Sequence, residues 1–237
     1  MRNYIILNGI SSETITGLLI QNLPPISKPK QRVNIEEIDG KDGDIVTYLG
    51  YGAYDKEFKI GLYGNYDVDE VIKYFNSSGT VTFSNEEDKY YNYQILDQID
   101  FERLLRFKEA TVRMHIQPFK YSNVEAKKSF TITNQTSINI RNNGNFISKP
   151  VLTITGTGTI NLSLNNEQLF VIDLGETSTS IVLDINNMNA YNPTTNAYMN
   201  RAVTGNYNNF NLNIGTNTIS WTGTVTQIEI QNYSRWI

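Results

Sequence analysis

The chain has 237 residues, 39% hydrophobic and 11% aromatic, with 15 tyrosines against 2 tryptophans; that is enough apolar surface for one large or two ordinary β domains and too much for disorder. Its net charge of −4 offers no basic stripe for phosphates, so sequence-specific nucleic-acid binding is not expected. With no cysteine and one histidine, disulfides, thiolate chemistry and multi-histidine metal sites are excluded.

Near the start only Tyr4–Leu7 is an apolar run, too short for the hydrophobic region of a signal peptide, and no stretch approaches the ~20 apolar residues of a membrane span. Synthesis and folding in a cytoplasm, without membrane insertion, are expected. Tyr4–Leu7 reads as a strand, and Gly9 and Gly17 punctuate the residues after it. Asn22–Arg32 holds Pro24, Pro25 and Pro29, so it is extended or irregular and cannot be a central strand. In the stretch Ile38 to Ile45, Gly40 and Gly43 mark turns, and Val46 to Tyr54 is aromatic and β-branched: a hairpin arm over about 35–55 that looks like a contact device. Phe58, Ile60 and Leu62 alternate with Lys59 and Gly61, which puts the apolar set on one face of a strand.

The period then changes. Val68, Val71, Ile72 and Phe75 follow helical spacing, with Asp67 as N-cap, Glu70 three residues on and Gly79 past the end; this is the one helix the pattern predicts. Thr80–Phe83 and Tyr90–Leu96 are strands around the acidic turn Asn85–Asp88. Ala110–Gln117 alternates with Val112, Met114 and Ile116 on one face and Thr111, Arg113 and His115 on the other, and Pro118 is expected to end it.

Composition shifts at Lys127-Lys128. Up to residue 128 there are 16 Lys/Arg, 19 Asp/Glu and 9 Asn; from 129 onward there are 4, 5 and 21. Two domains are expected, 1–128 and 129–237, divided between Pro118 and Ser129. The second reads as strands throughout: Asn142–Asn145 and Asn165-Asn166 are turns, Ile160, Leu162 and Leu164 alternate before Leu169 and Val171, and further strands lie at Ser180–Ile185, Phe210–Ile214, Thr218–Trp221 and Gln227–Gln231. This spacing predicts an antiparallel sandwich. Met188–Tyr207, rich in Asn, Tyr and Thr, reads as a long loop, a common place for function.

Candidate chemistry is thin. Asp39, Asp42 and Asp44 are mis-spaced for a calcium loop, since Lys41 and Gly43 fill its third and fifth positions. Gly156-Thr157-Gly158 lacks the third glycine and helix of a dinucleotide site and reads as a turn or bulge. His115 has no recognisable nucleophile partner, so no catalytic set, cofactor or metal site is expected. Tyr191, Tyr198, Tyr207 and Trp221 could stack on sugar rings, although packing explains them more simply. The sequons at Asn134, Asn161 and Asn232 carry no meaning without a secretory route.

In order and spacing these segments resemble the distal tail protein (Dit) family of long-tailed, siphovirus-type phages over nearly the full length. The resemblance is carried by Ile38–Asp44 with Tyr51-Gly52, the helix with Gly79, Asp88–Tyr91 and Ile116–Tyr121. In the second half it is carried by Asn142–Asn145 through Lys149-Pro150, Ile154–Gly158, the Ile181–Ile185 strand with Asp184, Leu212–Asn217 and Arg235. It implies a mainly β protein: an N-terminal sheet or split-barrel domain with one short helix, then a galectin-like antiparallel sandwich.

As function it implies a non-enzymatic tail-tip hub in the virion. Its first domain would close a homohexameric ring around a channel for DNA passage. The tail tube protein would sit above, with the tail-associated hub or lysin protein, and receptor-binding or accessory baseplate proteins, below. Asn192-Pro193 has neither the histidine before it nor the arginine after it of the galectin sugar motif, so inherited sugar binding is not expected, and the chain has no room for the carbohydrate-binding insertions of some members. The rival reading is a host-surface carbohydrate-binding module acting through the long loop.

Overall fold

The computed structural model describes residues 2–76, 78–177 and 179–237. They are mainly β and fall into two compact units, one running to Asn123 and taking in Ile237, the other spanning Val124–Trp236.

The first unit runs β1 (Ile5–Leu7), β2 (Ile10–Ser11), β3 (Leu18–Ile20), β4 (Gln31–Glu37), β5 (Asp44–Tyr51), β6 (Tyr54–Leu62), α1 (Val68–Phe75), β7 (Ser78–Phe83), β8 (Lys89–Gln94), α2 (Phe101–Phe107) and β9 (Glu109–Ser122). Among the described residues, seven strands of this unit pair in one antiparallel sheet in the order β2-β1-β7-β8-β9-β6-β3, while β4 and β5 pair only with each other. The sheet's inner face supplies Ile5, Phe58, Ile60, Val112, Met114 and Ile116 to a core that α1 covers with Val71, Tyr74 and Phe75. Asp67 starts α1, its carboxylate accepting from the backbone N–H of Asp69 at 3.0 Å and of Glu70 at 3.4 Å, a cap that satisfies two donors of the first turn.

Three expectations for this unit are corrected. A second helix exists: α2 is capped by Asp100, whose side chain accepts from Arg103 N–H at 2.8 Å, and it stops at Lys108 in the left-handed region. Lysine in place of glycine hides that stop, because glycine is the usual residue there. Gly79 is not a helix terminator but lies within β7, where a Cβ would meet the Asn8 side chain. Strand β9 passes through Pro118, because its register against β8 slips between Tyr91/Lys120 and Tyr93/Ile116; a bulge asks no ladder N–H of the proline.

The second unit contains β10 (Lys128–Thr131), β11 (Ser137–Asn142), β12 (Val151–Leu164), β13 (Glu167–Asp173), β14 (Thr179–Asp184), β15 (Asn189–Tyr191), β16 (Val203–Gly205) and β17 (Gly215–Gln231). It is an antiparallel sandwich built on two long strands that each serve both sheets. The first part of β12 lies between β14 and the last part of β17, which β10 flanks; the last part of β12 lies between β13 and the first part of β17, which β11 flanks. One core, including Leu152, Ile154, Leu162, Phe170, Leu183, Trp221 and Ile228, fills the space between them.

Thr218–Trp221 and Gln227–Gln231 are therefore one strand, bent where its register against β12 breaks near Gly156. Phe210–Ile214 is no strand; Phe210 and Leu212 are buried, and Leu212 makes a single bridge to Ser148. In β13 Leu169 is buried in the core as expected, but it is joined there by Phe170 and Ile172, and Val171 is only half-buried, because the register against β12 shifts between Leu162 and Ser163. The long 188–207 stretch carries β15 and β16.

The asparagine excess has a use in closing turns. Asn165 and Asn166 adopt φ of 51° and 71°, the paired left-handed conformation of a tight hairpin. The buried Asn217 side chain accepts from Asn213 N–H at 2.9 Å and donates to the Asn213 carbonyl at 2.8 Å. Buried Asn142 donates to the carbonyls of Phe146 at 2.9 Å and Leu212 at 3.1 Å.

Candidate functional site

The β4–β5 hairpin stands apart from the core of the first unit: every residue of both strands is exposed except Tyr51, which is half-buried. It starts at Gln31, earlier than the expected 35, because the first strand emerges directly from the proline-rich segment. Gly40 and Gly43 hold φ of +78° and +80° at its tip, and Lys41 N–H bonds the Ile38 carbonyl at 3.1 Å.

Register decides its chemistry. Val33 faces Tyr48 and Ile35 faces Val46, while Asn34 faces Thr47 and Glu36 faces Ile45. Residues directly opposite in an antiparallel pair share a face, so Val33, Ile35, Val46 and Tyr48 form an apolar stripe on one side of the ribbon. Asn34, Glu36, Ile45 and Thr47 make the other, more polar side, where Asn34 Nδ2 donates to Glu36 Oε1 at 2.8 Å. Leu49 is the extra residue of a bulge between Arg32 and Val33. Tyr48 is 67% exposed and Ile35 and Leu49 are each 55% exposed. An isolated two-stranded ribbon is marginal in water, and a contiguous exposed apolar stripe marks a contact surface.

The base of the arm is pinned. Pro24 and Pro29 are buried; Lys56 Nζ donates to the Pro25 carbonyl at 2.6 Å and Asn85 Nδ2 to the Pro24 carbonyl at 3.1 Å. The Lys30 carbonyl accepts from Gly52 N–H at 2.9 Å. Lys56 is the residue sequence reasoning missed, although its parity with Phe58 and Ile60 on β6 was visible. It is 3% exposed, with its ammonium 5.3 Å from the Tyr91 ring centre and 5.6 Å from that of Tyr54. Burial lowers its pKa and the Glu86 carboxylate partly restores it; Glu86 itself is ion-paired to Lys120 and accepts from the Tyr91 hydroxyl at 2.6 Å. Replacing Lys56 with methionine is expected to cost about 1–3 kcal/mol and to loosen the proline-rich segment, read as faster tryptic cutting after Lys30 in the full chain.

The remaining candidates separate. Asp39, Asp42 and Asp44 are exposed at the arm tip, and among the described residues no group of carboxylates and histidine is arranged to hold a metal. His115 Nδ1 lies 2.9 Å from Asp55 Oδ1 across β6 and β9, beside Arg113, which bonds Glu57 at 2.6 Å through Nε and approaches Asp97 at 3.3 Å. No hydroxyl among the described residues hydrogen-bonds the imidazole, so the pair is a surface cross-strand contact. Gly156 and Gly158 sit where β12 bends.

Trp221 is in the core, and Tyr207 packs edge-on against Phe170 at 4.8 Å between ring centres. Tyr198 is 77% exposed. Tyr191 lines an open cleft of about 360 Å³ with Thr153, Asn196, Gln231 and Tyr233. Asn192 closes its own turn, accepting from the N–H groups of Thr194 and Thr195 at 2.9 and 3.0 Å.

No protein-family model matches the chain, and no curated protein matches it. Among solved structures it is similar to the Dit protein of phage SPP1, described as a paradigm of the hub adsorption apparatus in phages infecting Gram-positive bacteria. That likeness has 14% identity and a TM-score of 0.66, and covers 98% of this chain and 99% of that one. It is also similar to a chain of the phage p2 baseplate in its activated conformation with strontium, at 12% identity and a TM-score of 0.50 over 98% of both chains. At these identities the likeness shows the fold, which is that of the phage Dit and baseplate proteins from end to end.

Proposed function

We propose that the chain is a structural, non-enzymatic hub of a phage tail tip, a distal tail protein carried in the virion and made in the cytoplasm of the host bacterium. Its first domain assembles into a homohexameric ring around a DNA channel, between the tube protein and a tail-associated hub or lysin protein, and the sandwich projects as a second, galectin-like domain. The observation that carries this reading is the unburied apolar ribbon of the arm on a fold shared end to end with the SPP1 Dit protein. Cyclic assembly uses two different, complementary surfaces on each copy, and a ribbon with free edges and one apolar face suits one of them.

Negative-stain class averages and mass photometry of the full chain test it: six-fold particles are expected. Deleting Gly40–Gly43, which collapses the tip, is expected to weaken self-association at least about tenfold while leaving the thermal midpoint within a few degrees, because no arm residue belongs to either core. Material that stays strictly monomeric, alone and mixed with neighbouring tail proteins, overturns the proposal.

A second reading, adhesion to a host glycan, rests on the Tyr191 cleft, whose amides and aromatic rings are the groups that grip sugars. Glycan-array binding by the full chain that Tyr191→Ala abolishes would favour it.

A further inference from the structure

The arm is electrically polarised along its length. No carboxylate occurs anywhere from Thr14 to Ile35, and the segment leading into the arm carries Lys28, Lys30 and Arg32. The tip, residues 36–44, carries Glu36, Glu37, Asp39, Asp42 and Asp44 against the single cation Lys41. All nine of these side chains are exposed, and none takes part in an intramolecular ion pair among the described residues. Along the extended ribbon Arg32 and Glu36, the nearest opposite charges of the two sets, stand about 13 Å apart and the others lie farther, beyond the Debye length of about 8–10 Å at ordinary salt. The charges of one arm are therefore largely screened from each other through solution.

We infer that the acidic tip of one copy's arm seats on the basic root of the next copy's arm, at Lys28, Lys30 and Arg32, with the Val33, Ile35, Val46 and Tyr48 stripe covered along the contact. This rests on the reading of the chain as a self-assembling hub and names where the arm goes. The occupant is a second copy because the two unmatched charge sets, opposite in sign and similar in size, lie on one ribbon: the surface that needs a cation-bearing partner and the surface that needs an anion-bearing one are both present in every subunit. Such a contact is directional, so it propagates head to tail and closes when the rotation allows. The root is also the part of the arm with a fixed position, since Lys56, Asn85 and Gly52 hold its carbonyls. A seat with pinned backbone loses little freedom on binding.

Charge exchange between two inactive chains tests this. One variant carries Lys28→Glu, Lys30→Glu and Arg32→Glu; the other carries Glu36→Lys, Glu37→Lys, Asp39→Lys, Asp42→Lys and Asp44→Lys. Each alone presents like charges at the contact and is expected to self-associate at least about a hundredfold more weakly than the parent by mass photometry, with an unchanged circular dichroism spectrum. Mixed one to one, the basic tip of one faces the acidic root of the other, and assembly is expected to return to within about tenfold of the parent. A single chain carrying both reversals is expected to assemble by itself.

Parent-like assembly of either singly reversed chain overturns the seat but leaves the hub reading intact. So does a tip reversal that abolishes assembly and is rescued neither by the mixture nor by the double reversal, which would place the tip on a different protein. Dimers that respond to the reversals in the expected way support the pairing and overturn the ring. A parent chain that never assembles, with or without tail proteins, overturns both.

Discussion

Gly223→Val is expected to unfold or severely weaken the second unit, lowering its stability by at least about 3 kcal/mol and its thermal midpoint by on the order of 10–20 °C. Gly223 sits where β17 leaves one sheet for the other. Its φ is +93°, and a Cβ there would lie 2.3 Å from the Thr159 carbonyl oxygen and 3.2 Å from Ile160 Cα. Both obstacles are backbone, so no side chain can rotate to make room, and a β-branched residue is the worst case at positive φ. The corner cannot shift alone, because β12 and β17 belong to both sheets and moving one displaces Trp221 and Val225 on either side of the bend. Gly158→Ala is the control. Its φ is +68° but nothing lies within 4 Å of the added carbon, so only the left-handed penalty of about 1–2 kcal/mol applies. Chemical denaturation of the full chains, followed by Trp fluorescence, separates the two; equal midpoints for both variants would show that the corner is not the constraint.

Raising the pH through 10 is expected to destabilise the first unit. Burial pushes up the phenols of Tyr54, to about 12, and of Tyr74 and Tyr91; Tyr91 is held further by donating to Glu86, whose negative charge opposes a second anion. In the unfolded chain these phenols lose their protons near 10. Above that pH the folded state therefore binds more protons than the unfolded one, and stability falls as pH rises. Lys56 acts in the opposite sense. Burial lowers its pKa below the ordinary 10.5, so the unfolded chain binds the extra proton and stability rises with pH up to about 10.5, beyond which the contribution is constant.

Above 10.5 only the tyrosines act. After allowance for partial solvent screening, the expected slope is about 1–2 kcal/mol per pH unit. Absorbance of tyrosinate should rise in two stages, the second coincident with loss of near-ultraviolet circular dichroism, and Tyr91→Phe should shallow the slope. Smooth ionisation of all tyrosines with structure retained at pH 12 would contradict this.

The parts of the fold that were legible in the sequence are those where one local rule acts alone. Asp67 with Val71 and Phe75 is a cap followed by one apolar stripe, and Asn165-Asn166 is a turn that asks for two left-handed residues. Gly40 and Gly43 likewise announced the arm tip. The arm's first strand was obscured by prolines immediately before it, and α2 by a lysine where glycine usually stops a helix. Within the two long strands of the sandwich, Ile160–Leu164, Thr218–Trp221 and Gln227–Gln231 read as separate short elements because a bend that transfers a strand between sheets interrupts alternation just as a turn does. At the proposed contact the tip charges were readable, but the stripe of Val33, Ile35, Val46 and Tyr48 depends on a pairing register shifted by one bulge at Leu49, which no single strand reveals.

The long central strands also set a timetable. Strands β1 to β9 are complete once Ser122 has been made, whereas β12 in the second unit, already flanked on one side by β13 and β14, gains its neighbour β17 on the other side only when Gln231 has appeared. At ribosomal speeds of about 5–20 residues per second, the earlier body is ready to fold roughly 5–20 s before the later one can close. A nascent chain thus presents a finished arm while its own sandwich is still an open half, and neighbouring polysomes would be the first place where two arms meet.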